Sequence, residues 1–139
     1  MAMREGAEPA NPVAPGVAIE ETASLISATK VAGTPVYNRH GERLGTVEDV
    51  MLDKRSGRVA YAVMAFGGFL GIGERYHPLP WSMLRYEVEV GGYLVDIDRE
   101  QLEAAPSYAA SEEVDWADRN WGRQVSDYYG VRPHWSEVP

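Results

Sequence analysis

The sequence predicts a mainly β fold, a small and mostly antiparallel β-barrel of about six strands with a short helix and a C-terminal amphipathic helix. Three observations predict this fold. Short runs alternate between apolar and polar residues, glycine-containing turns separate them, and the run 58–66 is apolar on both faces. Because a small barrel fills its interior with one face of each strand, the second face of this run needs a cover.

The first half of the barrel is predicted from turns and strand phases. A first strand begins at Pro35, which lacks an amide hydrogen and is therefore expected at a sheet edge. Gly41 marks the turn that follows. The second strand, 42–53, contains Gly45 and two conflicting apolar phases, which predict a bulge or a strong bend. Gly57 closes a hairpin into the central strand.

The second half begins after a glycine-rich connector, 67–73. Pro78 and Pro80 restrict the next strand to an edge or a barrel rim. The run 81–90 then alternates as a half-buried strand, and its partner returns along 93–97. The residues of 81–90 expected to face inward are Leu84, Tyr86, Val88 and Val90.

Two helices are predicted after the strands. Asp98 is a candidate N-cap with Gln101 as its capping-box partner, and Pro106 stops this short helix after Ala105. A second helix is expected to begin near Ser111 and to end at Gly130. Spacings of three and four give it one apolar stripe. The stripe consists of Val114, Ala117, Trp121, Val125 and Tyr128.

Length and composition limit the domain organisation, the class of ligand and the cellular location. The 139 residues suit one domain, and the interpretation divides them into a disordered segment 1–23, a barrel 24–106 and a helical extension 107–139. The net charge of −8 argues against direct nucleic-acid binding. The absence of cysteine fits a reducing cytoplasm. No run approaches the roughly 20 apolar residues of a membrane helix, and no apolar signal segment is found, so a cytoplasmic protein is expected.

The sequence predicts no catalytic residue, no cofactor site and no metal site. The connector 67–73 matches neither the P-loop nor the dinucleotide-binding pattern, and a strand follows it. His40, His77 and His134 are scattered without metal-ligand spacing, and His77 is interpreted as structural. Adjacent strand residues point to opposite faces, so the neighbouring carboxylates at 48 and 49 do not converge for acid–base chemistry.

A set of short segments resembles the PRC-barrel domain, which is shared by the photosynthetic reaction-centre H subunit and the ribosome maturation factor family. The segments are Pro35-Val36-Tyr37, Gly45-Thr46-Val47, Asp49-Val50, Asp53, Gly57-Arg58-Val59-Ala60-Tyr61-Ala62-Val63, Gly67-Gly68-Phe69-Leu70-Gly71-Ile72-Gly73 and Pro78-Leu79-Pro80-Trp81. The resemblance covers roughly residues 24–105 and implies a stand-alone bacterial member, because residues 1–23 provide neither a membrane helix nor a further domain. It implies an adaptor or assembly role without catalysis.

The expected function is therefore macromolecular binding by a non-enzymatic homo-oligomer with a further, unknown protein partner. Apolar and aromatic side chains are the candidate interface, because such side chains dominate interface energetics. They are Phe69, Leu70, Ile72, Trp81, Trp116 and Trp121. Two alternatives follow from the resemblance: a ribosome- or RNA-associated assembly factor, and a peripheral partner of a membrane electron-transfer complex. Packing of the C-terminal aromatic residues on the barrel or on a neighbouring subunit is the competing explanation for those residues.

Overall fold

Seven strands form one mixed sheet in the computed structural model, which describes residues 25–66 and 74–136. The strands are β1 Pro35–Asn38, β2 Arg43–Leu52, β3 Val59–Phe66, β4 Arg75–Pro80, β5 Arg85–Glu87, β6 Gly92–Val95 and β7 Tyr108–Ala109. Their order is β5-β6-β1-β2-β3-β4-β7, and every pair is antiparallel except the parallel pair β1–β6. The mainly β, mostly antiparallel class is confirmed. The strand count is one higher than expected, and the sheet of the described residues is open rather than closed.

The first strand lies inside the sheet, so its predicted edge position is wrong. β1 is bordered by β2 on one side and by β6 on the other. Pro35 is the first residue of β1, and the pairing with β6 begins one residue later, at Val36. The missing amide hydrogen of the proline therefore falls outside the β1–β6 ladder, which is one of the positions where a sheet tolerates proline.

The second strand carries the predicted irregularity. Its pairing with β3 shifts register between Val47 and Asp49 and again between Met51 and Leu52. These shifts reconcile the two apolar phases, because each extra residue returns the following side chains to the opposite face. β3 is the most buried strand, with seven of its eight residues buried. The prediction that both of its faces are covered is confirmed.

β5 is shorter than the sequence predicts, and the second half of β4 pairs with a strand on one side only within the described residues. β7 pairs only with Arg75 and Tyr76, so within the described residues the proline-containing half of β4 has a neighbour on one side only. A 3-10 turn, Trp81–Met83, separates β4 from β5. The predicted inward positions of Val88 and Val90 are wrong: both lie in the turn after β5 and are 64% and 50% exposed.

Three helices are present in the described residues: α1 Ala28–Val31, α2 Arg99–Glu103 and α3 Arg119–Tyr129. The capping box of α2 is confirmed, since the Asp98 carboxylate accepts the Gln101 amide hydrogen and the Gln101 side chain accepts that of Asp98. The predicted start of the last helix near Ser111 is wrong. Asp115 and Asp118 accept backbone N–H groups two residues ahead, and these Asx contacts hold residues 115–118 in a turn before α3.

Two apolar clusters pack against β3. The larger one draws on strands from both halves of the sheet and on α1 and α2, so the sheet curves around it. It contains Val31, Val36, Leu44, Val47, Ala62, Met64, Phe66, Leu79, Tyr93, Val95 and Leu102. The smaller one joins Ala60, Tyr61 and Val125, with Met51, Trp116, Trp121 and Tyr129 packed against it. The C-terminal helix therefore covers the second face of β3 within the same chain.

Candidate functional site

Within the described residues, β5 is the last strand on its side of the sheet, and it provides the candidate site. Its register with β6 pairs Arg85 with Leu94, Tyr86 with Tyr93 and Glu87 with Gly92. The Tyr86 ring packs edge-on against Tyr93, at 5.1 Å between centroids, and so joins β5 to the larger core cluster. Since alternate residues of a strand face opposite ways, Arg85 and Glu87 share the outer face.

The turn after β5 places apolar side chains in solvent. A hydrogen bond of 2.9 Å from the Gly91 amide to the Glu87 carbonyl closes the turn. Val88 and Val90 lie in this turn, directly after β5, and are exposed. A sheet edge flanked by exposed valines offers both main-chain hydrogen bonds and apolar contact, which are the two elements of strand-addition interfaces.

The candidate interface residues predicted from the sequence are distributed over different parts of the chain. Phe69, Leu70 and Ile72 lie outside the described residues. Trp81 is half-buried in the larger cluster, with its ring 5.4 Å from that of Tyr93. An interface role for these residues stays a prediction.

Trp116 and Trp121 meet on the second face of β3. Both pack against the cluster formed by Ala60, Tyr61 and Val125, and the Trp116 ring lies 5.7 Å from the Tyr61 ring. Burial raises the pKa of the Tyr61 hydroxyl. These contacts confirm packing of the aromatic residues on the chain's own barrel, because the two tryptophans are half-buried against their own β3.

A buried histidine lies in β4. His77 is 2% exposed, its ring contacts Phe66 edge-on at 5.5 Å, and its Nδ1 atom has no hydrogen-bond partner among the described residues. Burial, with a smaller contribution from the Arg75 charge, lowers the pKa of His77 to about 4. The imidazole is therefore neutral near pH 7, and the structural interpretation of this residue agrees with its place in the core.

Acid should destabilise the fold through His77. The pKa of His77 is about 4 in the folded chain and that of an unperturbed histidine is 6.5, so the unfolded state binds the extra proton as the pH falls through this window. The free energy of unfolding should drop by roughly 3 kcal/mol between those two pH values. Urea denaturation at several pH values measures this change. In His77→Phe the free energy of unfolding should change less with pH than in the parent chain. His40→Gln, a substitution at an exposed turn, should keep the pH dependence of the parent. If the free energy of unfolding of His77→Phe fell with decreasing pH as steeply as that of the parent, His77 would not be the group responsible.

The sequence reasoning missed Arg85 and Glu87 as candidate functional residues. Their signal was present in the segment Leu84-Arg85-Tyr86-Glu87-Val88, in which a cation and an anion flank a central tyrosine. It was missed because alternating charges on a strand are the usual mark of a solvent-facing surface. Only the sheet order shows that this strand is the last one in the described part of the sheet.

No helix among the described residues is long and apolar enough to cross a bilayer. Within residues 25–66 and 74–136, no group of three or more His, Cys, Asp or Glu side chains is arranged to hold a metal ion.

Comparison with solved structures finds a crystal structure of a putative 16S ribosomal RNA processing protein RimM from Pseudomonas aeruginosa. The two chains are 19% identical, the match covers 60% of this chain and 50% of that chain, and the TM-score is 0.35, so this likeness carries no argument. A search of curated proteins finds no match. The family model of the PRC-barrel domain matches residues 24–102, which is more than half of the sequence. The chain therefore belongs to the PRC-barrel domain family.

Proposed function

We propose that this chain is a non-enzymatic protein-binding module that works as a homodimer, joined through the side of β5 that pairs with no strand of the described residues. The observation that carries the proposal is the self-complementary order of side chains along that strand. In an antiparallel pair of identical strands centred on one residue, each position faces its mirror position in the second copy. For a pair centred on Tyr86, Arg85 faces Glu87 of the second copy, and Glu87 faces its Arg85.

The outer face of this pair would hold two ion pairs related by the two-fold axis. Side chains directly opposite in an antiparallel pair have Cβ atoms about 5 Å apart, within reach of a salt bridge. Arg85 and Glu87 form no ion pair with any residue in 25–66 or 74–136. Both charges are therefore available for a partner strand.

The inner face of the same pair would be apolar. Leu84 and Tyr86, which pack against the larger cluster, lie on this face, whereas Val88 lies in the turn after β5 and outside the paired strand. The register is therefore set by the two charges.

The contact should be weak and reversible, because a three-residue strand offers few main-chain hydrogen bonds. We expect a dissociation constant in the micromolar range, roughly −8 kcal/mol. Sedimentation equilibrium over a range of concentrations measures it. Arg85→Glu places like charges opposite each other twice per dimer and should weaken the dimer about tenfold or more.

The matched control exchanges the two charges. Arg85→Glu combined with Glu87→Arg restores opposite charges in the same register, so the double variant should dimerise as the parent does. Lys54→Glu makes the same charge reversal at the exposed β2–β3 turn and should leave the dimer unchanged. A monomeric parent chain at 200 μM or above, on the order of a hundred times the expected dissociation constant, would refute the homodimer. Equal weakening by the single and double variants would refute this register.

A further inference from the structure

A small cleft lies where the C-terminal extension meets the barrel. It has a volume of about 60 Å³ and is bordered by β3, by the 3-10 turn after β4, by α3 and by the segment that follows α3. Its lining residues are Val59, Ala60, Tyr61, Pro80, Trp81, Ser82, Ser126, Arg132 and His134. Three of them lie beyond residue 102, where the match to the family model ends.

The polar groups of the cleft are hydrogen-bond donors. Arg132 supplies a guanidinium, His134 an imidazole, and Ser82 and Ser126 supply hydroxyls. No carboxylate is among the lining residues, although the whole chain carries a net charge of −8. A cleft that collects a cation and hydroxyl donors in an acidic protein has the composition of an anion site.

Packing holds two of the four donor residues, Ser126 and His134. Ser126 is 1% exposed on α3, and its carbonyl accepts the Val131 amide hydrogen at 3.0 Å, which fixes the start of the final segment. The His134 ring contacts the Tyr61 ring at 5.3 Å and the Trp135 ring at 5.1 Å. Ser126 and His134 are therefore positioned before a ligand arrives, which lowers the entropy cost of binding, whereas the side chains of Ser82 and Arg132 are exposed.

Trp135 anchors this segment to α3. The Arg119 guanidinium lies 4.9 Å and the Arg123 guanidinium 5.9 Å from the centre of its ring. Gly122 leaves the room that the indole occupies, since a Cβ atom at this position would approach Trp135 to 2.7 Å. The contacts keep Arg132 and His134 beside the barrel.

We propose that this cleft binds a phosphate-sized oxyanion. A tetrahedral oxyanion presents four oxygens, which suits donors that come from the 3-10 turn, from α3 and from the final segment. A guanidinium binds phosphate through paired N–H donors. A cleft volume of about 60 Å³ suits a single small anion and is too small for a nucleotide.

Asp53 is the acidic group that acts on this region. Its charge interacts with His134, and hydrogen bonds from the Ser56 and Arg55 amides, with a smaller contribution from His134, lower the pKa of Asp53. Asp53 Oδ1 accepts those two amide hydrogens at 2.9 Å each, so the carboxylate is engaged in the β2–β3 turn. It does not line the cleft.

Isothermal titration of the full-length chain with inorganic phosphate, at constant ionic strength set by chloride, tests the proposal. We expect saturable binding at one site per chain. Arg132→Gln and Ser126→Ala should each weaken it about tenfold or more, since each removes a charge-assisted hydrogen bond. Arg39→Gln removes one cation from an exposed ion pair with Asp96 elsewhere and should leave the affinity unchanged.

Acetate serves as the second arm, because it carries a carboxylate instead of a tetrahedral anion. Phosphate binding that both cleft variants weaken and acetate does not match would support the proposal. Acetate binding as tight as phosphate, equal weakening by Arg39→Gln, or no saturable binding up to 20 mM phosphate, roughly where specific recognition ends, would each overturn it. The dimer measured by sedimentation does not depend on this site, so the two proposals succeed or fail separately.

Discussion

Replacing Gly45 with alanine should cost about 3 kcal/mol or more of the free energy of unfolding, at the upper end for an overpacked interior. A Cβ atom at position 45 would lie 2.1 Å from the Ala65 carbonyl oxygen and 3.1 Å from Cγ of Met64. The carbonyl belongs to the backbone of β3, the most buried strand, and cannot withdraw without breaking the sheet there. Denaturation by urea, monitored by circular dichroism, measures the loss.

Gly41 is the matched control for this substitution. A Cβ atom at position 41 meets nothing within 4 Å, but the backbone there has a positive φ of 81°. Gly41→Ala should therefore cost only about 1 kcal/mol, the usual penalty for a left-handed conformation. Equal losses at the two positions would show that β2 and β3 are not as close as the structure has them.

Val125→Asp should have the second large effect, a loss of about 4 kcal/mol of the free energy of unfolding. Val125 is 1% exposed and lies against Ala60 and Tyr61 in the smaller core cluster. A carboxylate placed there loses its hydration, and the apolar and aromatic side chains that form this cluster cannot replace it. Thermal and urea denaturation of the full-length chain measure the change.

The neighbouring residue of the same helix provides the control for that experiment. Gln124 is exposed, so Gln124→Asp introduces the same carboxylate into solvent and should change the stability by no more than about 0.5 kcal/mol. The near-ultraviolet circular dichroism signal, which reports on Trp116 and Trp121, should disappear at a lower urea concentration in the Val125 variant than in the parent. If both variants were as stable as the parent, α3 would not be docked on β3.

Much of the fold could be predicted because local chemistry determined it. The central strand was recognisable from an apolar run bounded by glycines, and its two buried faces are confirmed. The capping box at Asp98 depends on residues three apart, so it was visible in the sequence. The bulge in β2 was indicated by its two apolar phases.

The errors arose where several parts of the chain act together. The sequence does not show that β6 pairs with β1, so Pro35 was placed at an edge. Val88 and Val90 continue the alternation of β5, but the hydrogen bond from Gly91 to Glu87 turns the chain before them. The acidic residues before α3 suit a helix start and also suit Asx turns, and in the structure the turns prevail up to Asp118.

The candidate site was only partly accessible to sequence reasoning. Aromatic residues were chosen because they dominate interfaces in general, yet Trp116 and Trp121 pack against the chain's own β3. They cover the second face of β3 within the chain, so that face gives no reason to expect oligomerisation. The reason that replaces it, the charge order of Arg85 and Glu87, depends on β5 being the last strand on its side of the described sheet. The ribosome-associated and membrane-complex alternatives stay predictions.

Disulfide trapping tests the proposed dimer and its register most directly, because the chain has no cysteine of its own. Chains carrying Arg85→Cys are mixed with chains carrying Glu87→Cys and oxidised. In the register centred on Tyr86 the two different positions face each other at a Cβ distance of about 5 Å, near the range of a disulfide, whereas like positions are diagonal at about 7–8 Å. The account predicts that cross-linked heterodimers of the two variants predominate over cross-linked homodimers. Cross-linking no greater in the mixture than in either variant alone would contradict it.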